Sequence, residues 1–373
     1  MKSMRLYGLF VLFIFHVAGV SLDAAPVDIL NNINPDIRSI DVSTCNPRAS
    51  ESARKLLAYI AGLPSAQPRG IIVGQHIAHG EYVAYGMKEY VDNLQKLTGK
   101  NPALISVDYA YGAKRKDDPE LKHINKSIIE WWKKGGLVTV SWHARNPVTG
   151  GSAFDVAKTV DLKELLKVGT VANKRWMVQL DRVANGLSEL RDAKVIVLWR
   201  PFHEMNGDWF WWGRQDYPGH RDDFNALWQQ MFNYFTKDKK LDNLIWVYAA
   251  SGAAHEATRA GHVNRSIIYY YPGRDYCDIV GMDRYLDNEV LPGYDELSEL
   301  GKTVACCEFG PSTENGQYDL TLFLNGLKDK YPKISYCLAW DGKWSIVKNK
   351  NARSFMNDPT VVTQDKLPSS IIR

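Results

Sequence analysis

The chain has 373 residues, with 46 Lys and Arg against 42 Asp and Glu and a formal net charge of +4. Its basic residues occur in short runs such as Lys133-Lys134 and Lys239-Lys240, without the long phosphate-binding stripe that would point to nucleic acid. A hydrophobic content of 45% supports a sizeable core, and 12 Trp with 19 Tyr supply flat aromatic faces of the kind that stack on sugar rings.

The first elements are a basic pair, Lys2 and Arg5, and an apolar run from Leu6 to Val20 followed by small residues. This is the layout of a secretory signal peptide. We assign residues 1–25 to it, with cleavage between Ala18 and Ala25, and expect a secreted, monomeric protein with no membrane contact once the signal is removed. Residues 26–373 then form a single catalytic domain, in which residues 26–60 are a lead-in packed beneath or beside it. Eight apolar runs follow in order: 70–76, 103–109, 137–143, 194–204, 244–251, 277–285, 303–310 and 334–340. Continuous apolar runs of this length fit strands buried on both faces, as a parallel sheet requires. Helical patterns separate most of them, including 81–99, 127–135, 176–193 and 223–237. The segment near 254–263 carries the weakest helical pattern. The α/β alternation predicts a (β/α)8 TIM barrel, closed by a polar tail over 341–373.

Five Cys remain after the signal, at 45, 277, 306, 307 and 337. Their spacing has no zinc-binding pattern. Buried thiols are the simplest expectation, although Cys307 and Cys337 could pair across neighbouring strands. Sequons at Asn125 and Asn264 would permit glycosylation in a eukaryotic source.

In such a barrel the C-terminal strand ends converge on one mouth. Those ends carry His76, Asp108, Trp142, His143, Arg200, His203, Glu204, Asp283, Tyr285, Glu308 and Trp340. Glu204 closes the fourth run and Glu308 lies in the seventh. Two carboxyls at one mouth suit glycoside hydrolysis, in which one must hold a proton for the leaving oxygen while the other is ionised. A structural ion pair is the competing reading. Trp142 could be a sugar platform or wall, Trp199 and Trp246 read as wall, and Trp131-Trp132 read as helix packing. His76 is favoured for the site over His79, and Asp108 could bind hydroxyls or cap the following helix. Of Trp209, Trp211 and Trp212, adjacent residues cannot all face one cleft, so Trp209 is placed in it and one of the other two is buried.

The stretch Arg200-Pro201-Phe202-His203-Glu204-Met205-Asn206-Gly207, followed by Trp209 to Gly213, closely resembles the acid/base motif of glycoside hydrolase family 26. Further matches fall in order at Gly74-Gln75-His76, Ser141-Trp142-His143, Asp283-Arg284-Tyr285, Glu308-Phe309-Gly310 and Leu338-Ala339-Trp340. The resemblance implies a (β/α)8 β-mannanase that retains anomeric configuration and needs no cofactor or metal, with Glu204 as acid/base and Glu308 as nucleophile. It implies that His203 and Tyr285 contact the nucleophile and the sugar at the cleavage point. Trp340 would lie under that sugar, Trp209 on the leaving side, and Trp142 with His143 on the non-reducing side. The partner is then a β-mannan polysaccharide or oligosaccharide. Related chemistries are exo release of mannobiose, favoured if loops over 111–120, 144–158 and 341–352 close the cleft, and hydrolysis of β-1,3-xylan or mixed-linkage glucan. A non-catalytic sugar-binding protein is disfavoured by the presence of both glutamates.

Overall fold

Each of the eight apolar runs becomes a strand in the computed structural model, which describes residues 42–110, 117–213, 215, 217–261 and 265–372. The strands are β1 (Ile71–His79), β2 (Leu104–Asp108), β3 (Leu137–Trp142), β4 (Val197–Pro201), β5 (Leu244–Ser251), β6 (Ile279–Tyr285), β7 (Thr303–Gly310) and β8 (Ile334–Ala339). All pair in parallel with their sequence neighbours, and β1 pairs with both β2 and β8, so the sheet closes. Nearly every strand residue is buried, because side chains on one face fill the barrel and those on the other meet helices. The chain is a (β/α)8 barrel.

Helices fill the connections where the amphipathic patterns fall. They include Leu121–Lys133, Val171–Asp192 and His220–Asn233. Thr170 starts the longest by accepting from Asn173 N–H, as Ser50 does for Glu51–Gly62 by accepting from Ala53 N–H. The helix Glu51–Gly62 is the lead-in, and it lies against β5, β7 and β8. The weakly patterned segment after β5 forms a short helix, Gly252–Arg259, capped by the Ser251 hydroxyl.

Two features were not legible beforehand. A ninth strand, β9 (Val361–Val362), leaves the polar tail and pairs in parallel with Ile71 and Ile72, below the point where β2 takes over that edge of β1. The register also slips twice at the mouth, at Ile77 in β1 and at Cys307 in β7. One extra residue re-aims everything beyond it. Gly281 admits the second slip, because a Cβ there would lie 2.5 Å from Cys307 Sγ.

All five cysteines are free, so the possible Cys307–Cys337 bridge does not form. Cys307 Sγ meets the Tyr336 hydroxyl at 3.3 Å, and it is Cys306 that lies in register with Cys337. Asn125 is also corrected as a glycosylation site. Its side chain is buried, donating to Gly186 O and Glu189 and accepting from the Tyr109 hydroxyl at 2.6 Å. The segment expected to be a signal peptide, Asn264 and most of the 111–120 loop lie outside the described residues.

Candidate active site

β4 ends at Pro201 and the chain then bends sharply, with positive φ at Phe202 (49°) and Glu204 (56°). Such backbone costs about 1–3 kcal/mol per residue and persists only when its surroundings hold it. Here Glu204 N–H donates to Ala249 O on β5 at 2.8 Å, and Gly207 N–H donates to Glu204 O at 2.9 Å. Asn206 ties the bend to β5 again, accepting from Ser251 N–H at 2.7 Å and donating to Ser251 O at 2.9 Å. The Glu204 carboxylate accepts from Trp209 Nε1 at 2.7 Å. Residue 207 must be small for this, since a Cβ there would lie 2.3 Å from the folded-back indole.

Glu308 reaches the same space from β7, beyond the register slip. It pairs in register with Asp283 of β6, and both are buried. Arg200, only 1% exposed, bridges them: one guanidinium nitrogen donates to Asp283 at 2.9 Å and another to Glu308. The Tyr285 hydroxyl donates to the second Glu308 oxygen at 2.7 Å. One cation thus faces two buried acids, and burial together with the charge of Glu308 pushes the Asp283 carboxyl well above its usual range. Glu204 is pushed up to about 7 by burial and then by the charge of Glu308, against the opposing hydrogen bond from Trp209. The mouth therefore holds one carboxyl able to carry a proton near neutral pH and another that accepts two hydrogen bonds.

A cluster of histidines forms the adjoining wall. Asp108 accepts from Ser141 Oγ at 2.6 Å, from His143 Nδ1 at 2.8 Å and from the backbone amides of Ala110 and His143. Burial works against its charge, but His143 and these bonds hold Asp108 well below the usual carboxylate range. His143 is raised in turn: burial opposes protonation and the Asp108 carboxylate outweighs it. His203 packs edge-on to His143 at 4.5 Å, and Phe210 leans on both rings. Joined to them through His79, Trp340 is 8% exposed and stacks on His76 at 3.8 Å. His79 and Asp341 flank that pair, with Asp341 pushed up to about 6 by burial and the charge of Glu308. Among the described residues, two groups have metal-ligand spacing: His76, His79 and Asp341, and His79, Asp108 and His143.

The glycosyl hydrolase family 26 model matches residues 45–366, almost all of the described chain. The chain belongs to glycosyl hydrolase family 26. It is 35% identical over 343 residues to a mannan endo-1,4-beta-mannosidase of Bacillus subtilis strain 168, covering 89% of this chain and 91% of the relative. Its structure is similar to that of the YdhT protein from Bacillus subtilis, with a TM-score of 0.78, 34% identity and coverage of 86% and 95% of the two chains. It is also similar to a beta-mannanase from a symbiotic protist of the termite Reticulitermes speratus, solved with gluco-manno-oligosaccharide. For that pair the TM-score is 0.70, identity is 29%, and 88% and 98% of the chains are covered.

In this family 26 enzyme the structure brings together His76, Asp108, His143, His203, Glu204, Trp209, Asp283, Tyr285, Glu308 and Trp340. Trp142 is the exception among the predicted site residues. It is 1% exposed and stacks on Trp176 of the helix Val171–Asp192 at 5.6 Å, because its neighbours Ser141 and His143 take the Asp108 side. It is wall, not platform. Trp211 and Trp212 are both buried, rather than only one of them, with indole N–H groups donating to Ala144 O and His203 O. Phe210 is the aromatic that alternation missed. It stacks on Trp212 at 4.4 Å and meets the partly exposed Phe154 of the 144–158 loop at 5.0 Å. Arg200 and Asp341 are the charged residues left out of the predicted site. Arg200 was visible as a cation at a strand end directly before the Glu204 motif, and Asp341 as the residue directly after Trp340.

Proposed function

We propose that this chain is a secreted endo-β-1,4-mannosidase that hydrolyses mannan, glucomannan or galactomannan with retention, by double displacement. The observation that carries the reading is the pair of carboxyls at one mouth: Glu204 raised to about 7, beside Glu308 held by Arg200 and Tyr285. Glu204 protonates the glycosidic oxygen while Glu308 attacks the anomeric carbon, and the covalent glycosyl-enzyme forms. Glu204, now ionised, takes a proton from water, which attacks the same carbon and releases the sugar. A carboxyl separation of roughly 5–5.5 Å is expected for this course. Trp340 supports the reacting sugar, Trp209 lines the leaving side, and His143, set by Asp108, borders the non-reducing side. The mannanase names of the relatives support the substrate, and the basic-then-apolar N-terminus supports export.

Glu204→Gln and Glu308→Gln should each abolish release of reducing ends from mannan, since each removes a group acting in the transition state. Full activity in either variant would defeat the assignment. A ladder of product sizes at early times supports endo action; mannobiose alone from the first time point would instead mark an exo-acting enzyme.

A further inference from the structure

We propose that His76, His79 and Asp341 form a binding site for a divalent transition-metal ion at the cleft floor, separate from the two glutamates. His76 and His79 are three apart in β1, so in a regular strand they would face opposite sides of the sheet. The extra residue at Ile77 removes that alternation, and both imidazoles meet Asp341 beyond β8. His76 Nε2 lies 3.8 Å from Asp341 Oδ2, and His79 Nε2 lies 3.9 Å from the same oxygen. One ligand atom from each of the three side chains lies within 4.8 Å of the other two.

The His76 ring is fixed in the manner of a metal ligand. Its Nδ1 meets Ser106 Oγ at 3.0 Å, and Trp340 stacks on its face at 3.8 Å with only 10° between the planes. With Nδ1–H donating to that hydroxyl, the ring is in the tautomer that leaves the Nε2 lone pair free to ligate. That other nitrogen, Nε2, is completely buried and has no hydrogen-bond partner, an arrangement that otherwise carries a desolvation cost. Two imidazoles and one carboxylate suit zinc and neighbouring transition metals. At bond lengths of about 2.0–2.1 Å, tetrahedral ligands sit roughly 3.3–3.4 Å apart. Each of the two His–Asp distances would close by about half an ångström, and Asp341, with a side chain 21% exposed, has room to move. The second group, His79 with Asp108 and His143, is the weaker candidate. Both Asp108 oxygens already accept two hydrogen bonds each, and His143 Nδ1 is engaged by Asp108.

The full chain, treated with chelator and desalted, should bind one equivalent of zinc in calorimetric titration with ZnCl2 and no saccharide present. Asp341→Asn and His79→Gln should each weaken that binding at least tenfold, and zinc should raise the melting temperature of the parent chain but of neither variant. Absence of one-to-one binding in the parent, or parental affinity in either variant, overturns the site. An ion beside Trp340 should also raise the KM for mannan. That readout rests on the mannanase reading whereas calorimetry does not, so failure of one is distinguishable from failure of the other.

Discussion

Replacing Trp209 by Phe separates the proton chemistry of Glu204 from the shape of the cleft. The indole N–H donates to the Glu204 carboxylate at 2.7 Å and so favours its ionised form. Glu204 is nevertheless raised to about 7, because burial and the charge of Glu308 outweigh that bond. A hydrogen bond to a charged group contributes about 1.5–3 kcal/mol, and one pH unit corresponds to about 1.36 kcal/mol. Removing the donor while keeping an aromatic ring should therefore raise the pKa, moving the alkaline limb of the kcat/KM profile upward by about one to two pH units. The lower end is expected, since Glu204 is partly open to the cleft. The sign follows from its role as acid: the working form is protonated, so losing a bond to the anion extends activity to higher pH. The alkaline limb of kcat/KM reports the free enzyme, so a change in sugar affinity at Trp209 lowers the whole curve without moving the limb. A limb that stays in place, or moves to lower pH, would refute the assignment of Glu204 as the proton donor.

Other perturbations report on the supporting groups. Arg200→Met leaves Glu308 and Asp283 buried without their cation, and should cost about 3–5 kcal/mol of stability in urea unfolding at pH 7 together with most of the activity. Asp108→Asn should destabilise the fold more at pH 5.5 than at pH 9. The raised pKa of His143 means its contribution is fully present below the unfolded value near 6.5 and is lost as pH rises through the folded one; unfolding curves at the two pH values compare the losses. Trp142→Ala should cost about 3–5 kcal/mol through the cavity it leaves, with the KM for mannan in the surviving folded fraction unchanged. A selective rise in KM would return Trp142 to the cleft.

The strands and their order were legible in the sequence because burial on both faces leaves a direct mark: eight apolar runs, each closing in polar or aromatic residues. Both glutamates were legible for the same reason, since a carboxyl at the end of such a run has one mouth to enter. Which neighbours join them was less so. A period-2 reading places Trp142 or Trp211 on a face only while the strand is regular, and it cannot say whether the helix Val171–Asp192 waits outside with Trp176. The slips at Ile77 and Cys307 are invisible in composition, yet they set which side His79 and Glu308 take. Arg200 becomes meaningful only when β4 and β7 face each other across the barrel and one guanidinium meets two acids. Local pattern thus determined the barrel and its two carboxyls. The raised pKa of Glu204 came from burial and through-space charge, which depend on distances between residues far apart in the chain, and only the closed barrel brings those residues together.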